Sequence, residues 1–175
     1  TILAAWQRAL HNQDLHPTPL AGMPVGVLAG RIIVKRFKRV LREGRALNTA
    51  TPDAEVHRLR IQCKKLRYAI EFFSSLYPKE EIQRVVRHLK KLQDILGSFN
   101  DLSVQQEMLR LNLTKQRGES RRNLELAAAL GGLMQSLFQE QQGLRGHFTE
   151  AFDQFSDPET MALFHQLFRK KQEPS

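Results

Sequence analysis

The sequence predicts an all-α fold, an antiparallel helical bundle in which a four-helix repeat is followed by additional C-terminal helices. Apolar residues recur three and four positions apart along most of the chain, which is the spacing of helices that bury one face. Residues typical of helix starts and ends interrupt this pattern at short intervals. Alternating apolar and polar runs, which would predict strands, are nearly absent. The length of 175 residues fits one domain.

The first two predicted helices flank a turn with strong start signals. The first runs from Val27 to about Ala46, with Gly44 as a weak position near its end. Thr51 is the expected N-cap of the second, and Pro52 its first residue. The apolar positions of this second helix follow a 3,4,3,4,3 spacing: Val56, Leu59, Cys63, Leu66, Ile70 and Phe73. This spacing indicates a helix packed on other helices.

A third helix is expected from Lys79 to Leu96. Gly97 follows it at the position of a left-handed C-terminal cap. Asn100 and Asp101 are then expected to cap a fourth helix, because their side chains accept hydrogen bonds from free backbone N–H groups.

The C-terminal third predicts three more helices. A long one is expected from Glu119 to Gln142, with a break at Gly143. A shorter helix carries an aromatic stripe that ends at Phe155. The last begins in the capping-box sequence Ser156-Asp157-Pro158-Glu159.

The positive charge is concentrated in one segment. The chain has 27 Lys and Arg against 18 Asp and Glu, which gives a formal net charge of +9 and a pI near 10.1. Residues 31–91 carry 17 of these cations and 6 of the acids, a net charge of +11, so the rest of the chain sums to −2. A segment this basic indicates a polyanionic partner.

Cysteine content and apolar runs limit the class of protein. A single cysteine, Cys63, excludes an internal disulfide and a metal site of several thiolates, so we expect a reducing, cytoplasmic location. Because Cys63 lies in a predicted core stripe, we interpret it as a small buried apolar residue and not as a nucleophile. The longest mainly apolar run, Leu20–Gly30, has eleven residues, whereas a membrane span needs about 20. The start Thr1-Ile2-Leu3 has no basic n-region and does not resemble a signal peptide, and the missing Met suggests a piece of a longer parent.

Three of the predicted helices carry a row of cations at helical spacing. The rows are His57, Arg60, Lys64 and Arg67; Arg31, Lys35, Lys38 and Arg42; and Arg84, Arg87, Lys90 and Lys91. We expect each row to lie beside a buried stripe, so that the rows converge on a groove between helices that binds a linear polyphosphate-like anion. The alternative is that they are ordinary solvated helix faces.

Two segments together resemble the CHAD family, the conserved histidine α-helical domain. They are His57–Glu71, which reads HRLRIQCKKLRYAIE, and Leu89–Asp101, which reads LKKLQDILGSFND. The resemblance implies two four-helix repeats around a basic cavity that binds inorganic polyphosphate. Four residues match the family's HxxRxxxKxxRY signature as phosphate-facing positions: His57, Arg60, Lys64 and Arg67. Lys90 matches the lysine before the LQxxLG segment.

The resemblance covers residues from about 30 to about 115 and only the second of the two family repeats. We therefore interpret residues 25–175 as a CHAD-like helical domain, and residues 1–24 as an N-terminal segment that could be the remnant of a preceding repeat. Two alternatives stay open: the chain is a fragment with half a cavity, or a second chain supplies the missing half.

The predicted function is non-catalytic binding of inorganic polyphosphate. Beyond the signature residues and Lys90, the predicted contacts are Arg31, Lys35, Lys38, Arg42 and Lys91. No cofactor or metal is expected, because a metal site built on His57 and His88 would lie among cations that repel it. The chain lacks the GxSxG, GxxxxGK[ST] and Glu-x-Glu-x-Lys motifs of candidate enzymes.

Two other kinds of partner would also explain the basic segment. One alternative is a helical protein that binds nucleic acid, which would need aromatic side chains for base stacking. The other is a basic scaffold that docks an acidic protein. For a polyphosphate-binding protein we expect a cytoplasmic location, with association with polyphosphate granules as a further expectation.

Overall fold

Helices account for nearly all of the described chain, and the predicted all-α fold is confirmed. The computed structural model describes residues 20, 22–115 and 120–169. Within these ranges there is no strand, and the helices are α1 (Val25–Arg45), α2 (Asp53–Phe72), α3 (Lys79–Lys115), α4 (Arg121–Phe155) and α5 (Pro158–Arg169), with a 3₁₀ turn at Ser74–Leu76. Residues 1–19 of the predicted N-terminal segment, and Glu119, the predicted start of a helix, lie outside the described residues.

Each of the first four helices packs on its neighbour in sequence, and α5 folds back onto α1 and α3. The predicted stripe of α2 is buried from Val56 to Ile70, whereas Phe73 lies after the end of the helix and is half-buried. Ile33 and Val40 of α1 are almost inaccessible to water as well. Aromatic rings close the core at the α5 end. There Phe37 stacks on Phe164, with the ring centroids 3.6 Å apart. No helix in the described part of the chain is both long enough and apolar enough to cross a bilayer.

Two predicted helix breaks are wrong. α3 continues for 37 residues through Gly97, so Asn100 and Asp101 lie inside the helix and cap nothing. α4 likewise continues for 35 residues through Gly143. The apolar stripe of α3 runs on past Gly97 into Phe99 and Leu102, which are both buried. Burial of these side chains outweighs the roughly 1 kcal/mol that a glycine costs within a helix.

The helix starts are set by different residues from some of those predicted. α2 begins at Asp53 after Pro52, which has extended backbone angles. Thr51 is not its cap, because Thr51 Oγ1 accepts a hydrogen bond from the N–H of Asn48, at 2.8 Å, and closes the preceding turn. The predicted start of the last helix is confirmed. Asp157 Oδ1 accepts from the N–H of Thr160 at 2.5 Å, and this bond lowers the pKa of Asp157.

Gly44 marks a close approach between α1 and α4. It is buried, and a Cβ built there would overlap the ring of Phe152, whereas Gly143 has open space around it. Gly44 is therefore not a weak helix position, as predicted, but one at which the packing requires a hydrogen atom in place of a side chain.

The end of α3 and the start of α4 extend beyond the other helices. α3 has no buried residue after Leu102, and α4 has none before Gln141. We call residues 103–115 of α3 and 121–140 of α4 the two-helix extension. The core of the domain thus lies at one end of these long helices.

The two glycines give a matched pair of substitutions. Gly44→Ala is expected to lower the free energy of unfolding by about 1–3 kcal/mol, because the new methyl group must displace Phe152. Gly143→Ala should raise it by about 0.5–1 kcal/mol, because it removes a helix glycine without a clash. Urea unfolding followed by circular dichroism measures both. Equal effects of the two substitutions would contradict this account of Gly44.

Candidate functional site

The predicted signature row lies along the seam between α2 and α3. We call it the α2 row: His57, Arg60, Lys64 and Arg67. The seam is identified by contacts at its start, where His57 Nδ1 and Asn100 Oδ1 form a hydrogen bond. One turn earlier, Ser103 Oγ donates to Asp53 Oδ2 at 2.6 Å. Because the row shares this side of α2, its cations follow the α3 boundary.

α3 contributes a lysine and two amides to the same seam. Lys90, Gln93 and Asn100 recur at helical spacing on the side of α3 that bears the His57 contact. Lys90 is exposed, whereas Gln93 is buried and its Nε2 has no hydrogen-bond partner among the described residues. The sequence analysis did not select Gln93. The available signal was a polar residue at a core position of the LQxxLG segment.

Most cations of the seam are not neutralised. Within the described part of the chain, Arg60, Lys64 and Lys90 form no ion pair or hydrogen bond. Among the described residues Arg67 does have an acidic partner, since its Nε lies 3.3 Å from Glu71 Oε1. Three unpaired cations along one seam create a positive potential that attracts an anion.

The contact with Asn100 orients the imidazole of His57. Because the amide carbonyl accepts a hydrogen bond, the Nδ1 of His57 is the protonated donor. Nε2 is then the ring nitrogen left for a ligand. The Nδ2 of Asn100 lies 3.5 Å from Asp101 Oδ1, which favours this orientation of the amide. Asn100 was predicted to cap a helix, and the structure gives it this contact instead.

The structure places the α1 row away from the seam. Arg31, Lys35, Lys38 and Arg42 are all exposed. Arg31, Lys38 and Arg42 each directly follow a buried residue, as the residues of the α2 row do, so they flank the buried stripe of α1. They border other surfaces than the seam, because Lys38 lines a hollow with Met161 and His165 of α5, and Arg42 lines one with Arg58 of α2.

The row on α3 is divided between two sides of the helix. Lys91 Nζ donates to Gln154 Oε1 on α4 at 2.8 Å, and Arg84 pairs with Glu159 on α5 at 2.5 Å. Lys90 instead lies on the α2 side, about 100° from Lys91. The structure thus brings Lys90 together with the α2 row, and it places Lys91 elsewhere.

A partly buried polar network fixes the start of α2, one turn before His57. Asp53 Oδ2 also accepts from Gln141 Nε2 at 2.9 Å, and Arg145 Nη2 lies 3.3 Å from Asp53 Oδ1. Arg145 further donates to the carbonyl of Thr51 at 3.0 Å. This network could not be predicted from the sequence, because it joins residues about ninety positions apart that show no local motif.

Two other side chains with reactive groups are Cys63 and His88. Cys63 is fully buried, and burial, assisted by the negative charge of Glu43, raises the pKa of its thiol to about 12. His88 lies on the side of α3 nearest Asp157, where its charge helps to lower the pKa of that carboxyl group, whereas His57 contacts Asn100. Among the described residues, no cluster of three or more His, Cys, Asp or Glu could hold a metal ion.

Comparison with known families agrees with the resemblance seen in the sequence. The profile of the CHAD domain matches residues 1–110, more than half of the chain. The chain belongs to the CHAD family. No curated protein gives a significant match to it. The CHAD match includes all of α1 and α2 and most of α3, and therefore the whole seam. It ends before α4 and α5, which complete the core of this CHAD domain.

Proposed function

We propose that this CHAD domain binds inorganic polyphosphate, or a similar linear polyanion, and does not catalyse its turnover. The binding surface of the proposal is the α2–α3 seam. The observation that carries it is the line of cations Arg60, Lys64 and Lys90, which have no acidic partner in the described part of the chain and lie in the family's signature segment.

The geometry of the seam suits a linear anion. The α2 row runs over ten residue steps from His57 to Arg67, or about 15 Å along the helix axis, so it can meet several successive phosphate groups. Guanidinium groups pair with phosphate oxygens through two parallel hydrogen bonds, and ammonium groups act as point charges. His57 adds a donor at Nε2 when its ring is protonated. Release of counterions from the polyanion adds to the binding free energy.

The remaining predicted residues have a different role in the proposal. The α1 row and Lys91 face away from the seam, so they attract the anion at long range rather than through contacts. A second CHAD repeat, on the same polypeptide or on another chain, would supply the opposite wall of a closed cavity. The seam described here would then form one wall.

The proposal of a non-catalytic role rests on the chemistry of the available groups. Hydrolysis of a phosphoanhydride generally uses a metal ion or an activated nucleophile. The buried Cys63 thiol and the separated histidines supply neither within the described residues. We therefore expect the domain to hold the polymer without cutting it.

One observation favours nucleic acid as a second candidate. Tyr68, next to Arg67 on α2, is 51% exposed, and the Arg67 guanidinium lies 5.5 Å from the centre of its ring. An exposed aromatic ring therefore lies directly beside the α2 row. An exposed ring beside cations can stack on a base.

Charge reversal in the seam tests the proposed site. We expect Arg60→Glu and Lys64→Glu each to weaken binding of long-chain polyphosphate by about 10- to 100-fold, since each removes a charge-assisted contact and adds repulsion. Lys65→Glu is the matched control, because Lys65 is exposed and lies outside the row on the same helix. Fluorescence anisotropy at two salt concentrations measures the affinities. An equal loss in Lys65→Glu would show that only overall charge matters.

A double-mutant cycle tests the role of Asn100. If Asn100 acts by orienting His57, Asn100→Ala should weaken polyphosphate binding severalfold in the native chain and have no further effect in His57→Ala. Nitrogen chemical shifts of the His57 ring should also show loss of the Nδ1–H tautomer in Asn100→Ala. Additive effects of the two substitutions on affinity would exclude a positioning role.

Competition at fixed ionic strength separates the candidate partners. We expect polyphosphate bound to the domain to be displaced by unlabelled polyphosphate at lower phosphate concentration than by single-stranded DNA, duplex DNA or an acidic peptide. Tyr68→Ala should leave polyphosphate affinity within about twofold, because phosphate has no face on which to stack. Stronger displacement by single-stranded DNA that Tyr68→Ala abolishes would instead identify the domain as a nucleic-acid binder. Strongest displacement by the peptide would support a protein scaffold.

A further inference from the structure

Two buried N–H donors without an acceptor lie in the far half of the α2–α3 seam. Gln93 of α3 is only 8% exposed, and its Nε2 has no hydrogen-bond partner among the described residues. The Nε of Arg67 on α2 is also buried, and its 3.3 Å approach to Glu71 Oε1 lacks the geometry of a hydrogen bond. A buried donor that is left unpaired costs stability, so two of them along one seam indicate an acceptor from outside.

The antiparallel register of α2 and α3 brings the two donors close together. The contacts at the start of the seam fix this register. Counting seven residues along both helices from the contact of His57 sets Gln93 opposite Lys64. Three residues further along, Lys90 lies opposite Arg67. The amide and the guanidinium are thus about one helical turn apart on facing helices.

The chemistry of this position favours an acceptor that carries negative charge. The NH2 group of an amide and the Nε of a guanidinium donate hydrogen bonds and accept none, so their partner must offer lone pairs. Lys64 and Lys90 form no ion pair or hydrogen bond within the described ranges, so their charges are not balanced either. The non-bridging oxygens of a phosphate group supply both the lone pairs and the charge.

We propose that the side-chain amide of Gln93 binds one phosphate group of the polyanion directly, together with the Nε of Arg67. This inference rests on the proposed function, and it adds a neutral ligand to a site otherwise built from cations. A cation attracts an anion over several ångströms, whereas an amide contributes only when a phosphate oxygen comes within hydrogen-bond distance. Gln93 therefore fixes how deeply the polymer lies in the seam.

Gly97 leaves room for a phosphate group above Gln93. It follows Gln93 by one turn within α3, and a Cβ built there would have no atom within 4 Å. Packing therefore does not require this glycine, although a glycine weakens a helix. A helical side chain leans over the turn that precedes it, so a side chain at position 97 would lie over Gln93. On the facing helix, the unpaired side chain of Lys64 is free to swing outward and uncover the amide.

Fluorescence anisotropy with labelled long-chain polyphosphate tests the proposed ligand. Gln93→Met keeps the length of the side chain and removes the amide, so we expect the affinity to fall by about tenfold. The urea midpoint of this variant should equal or exceed that of the native chain, because an unpaired buried donor is removed. Gln105→Met is the matched control and should change the affinity less than about twofold, since Gln105 is exposed on α3 about 120° around the helix from Gln93.

The salt dependence of binding separates a neutral ligand from a cation. We expect Gln93→Met to keep the native slope of log affinity against log salt concentration, because it removes no charge. Lys64→Glu should make the slope shallower, because fewer counterions are then released. A shallower slope in Gln93→Met would contradict a direct contact by a neutral amide.

A second pair of variants tests the room above Gln93. Gly97→Leu should weaken polyphosphate binding by about tenfold while the helix content stays the same by circular dichroism, since leucine favours a helix. Gly131→Leu on α4 is the control, because a Cβ there also meets no atom within 4 Å and the position lies outside the seam. Native affinity in Gly97→Leu would contradict a phosphate group seated on Gln93.

The outcomes distinguish this inference from the proposed function. Native affinity in Gln93→Met overturns the inference, whereas polyphosphate binding in the seam still stands if Arg60→Glu weakens it. A loss of affinity in Gln93→Met that comes with a lower urea midpoint also overturns the inference, because Gln93 would then act through the stability of the fold. A native chain that does not bind polyphosphate refutes the proposed function, and this inference with it.

Discussion

The packing of the α2 stripe against α3 determines where the cations of α2 lie. Each residue of the α2 row follows a core position by one residue, so burial of the stripe rotates the row into the seam. On α1 three of the four cations have the same one-residue offset, but they border other surfaces, since Lys38 lies beside α5 and Arg42 lies near Arg58 of α2. Two rows with nearly equal spacing thus meet different surroundings, because the neighbouring helix differs.

Holding unpaired cations side by side costs stability, and the fold offsets that cost at the ends of the seam. At its start, Asp53 joins α2 to Ser103, Gln141 and Arg145 through hydrogen bonds and an ion pair. At its far end, Glu71 neutralises Arg67. Between these ends, buried apolar side chains hold the two helices together. The apolar core and the contacts at the two ends of the seam therefore offset the repulsion along the row. A bound anion would relieve this repulsion.

Two chemically different surfaces share one side of α3. Lys90, Gln93 and Asn100 belong to the polar seam, whereas Val104 and Leu111 continue the same face as apolar residues. The change occurs at Ser103 of α3, which contacts Asp53, the first residue of α2. The family match covers the polar part and ends at residue 110, inside the apolar part. The long, uninterrupted α3 joins a surface of the shared family core to one carried largely by the later helices.

The sequence by itself determined the helical fold, the family and the signature row, because each depends on residues within a few turns of one another. It also predicted the core stripe of α2, which is buried from Val56 to Ile70. Only the tertiary structure decided that α3 runs through Gly97, that Asn100 meets His57, and that the three rows do not share one groove. These depend on how each helix is rotated and what packs beside it, and contacts such as that of Asp53 with Gln141 join residues too far apart in sequence for any local pattern to indicate them.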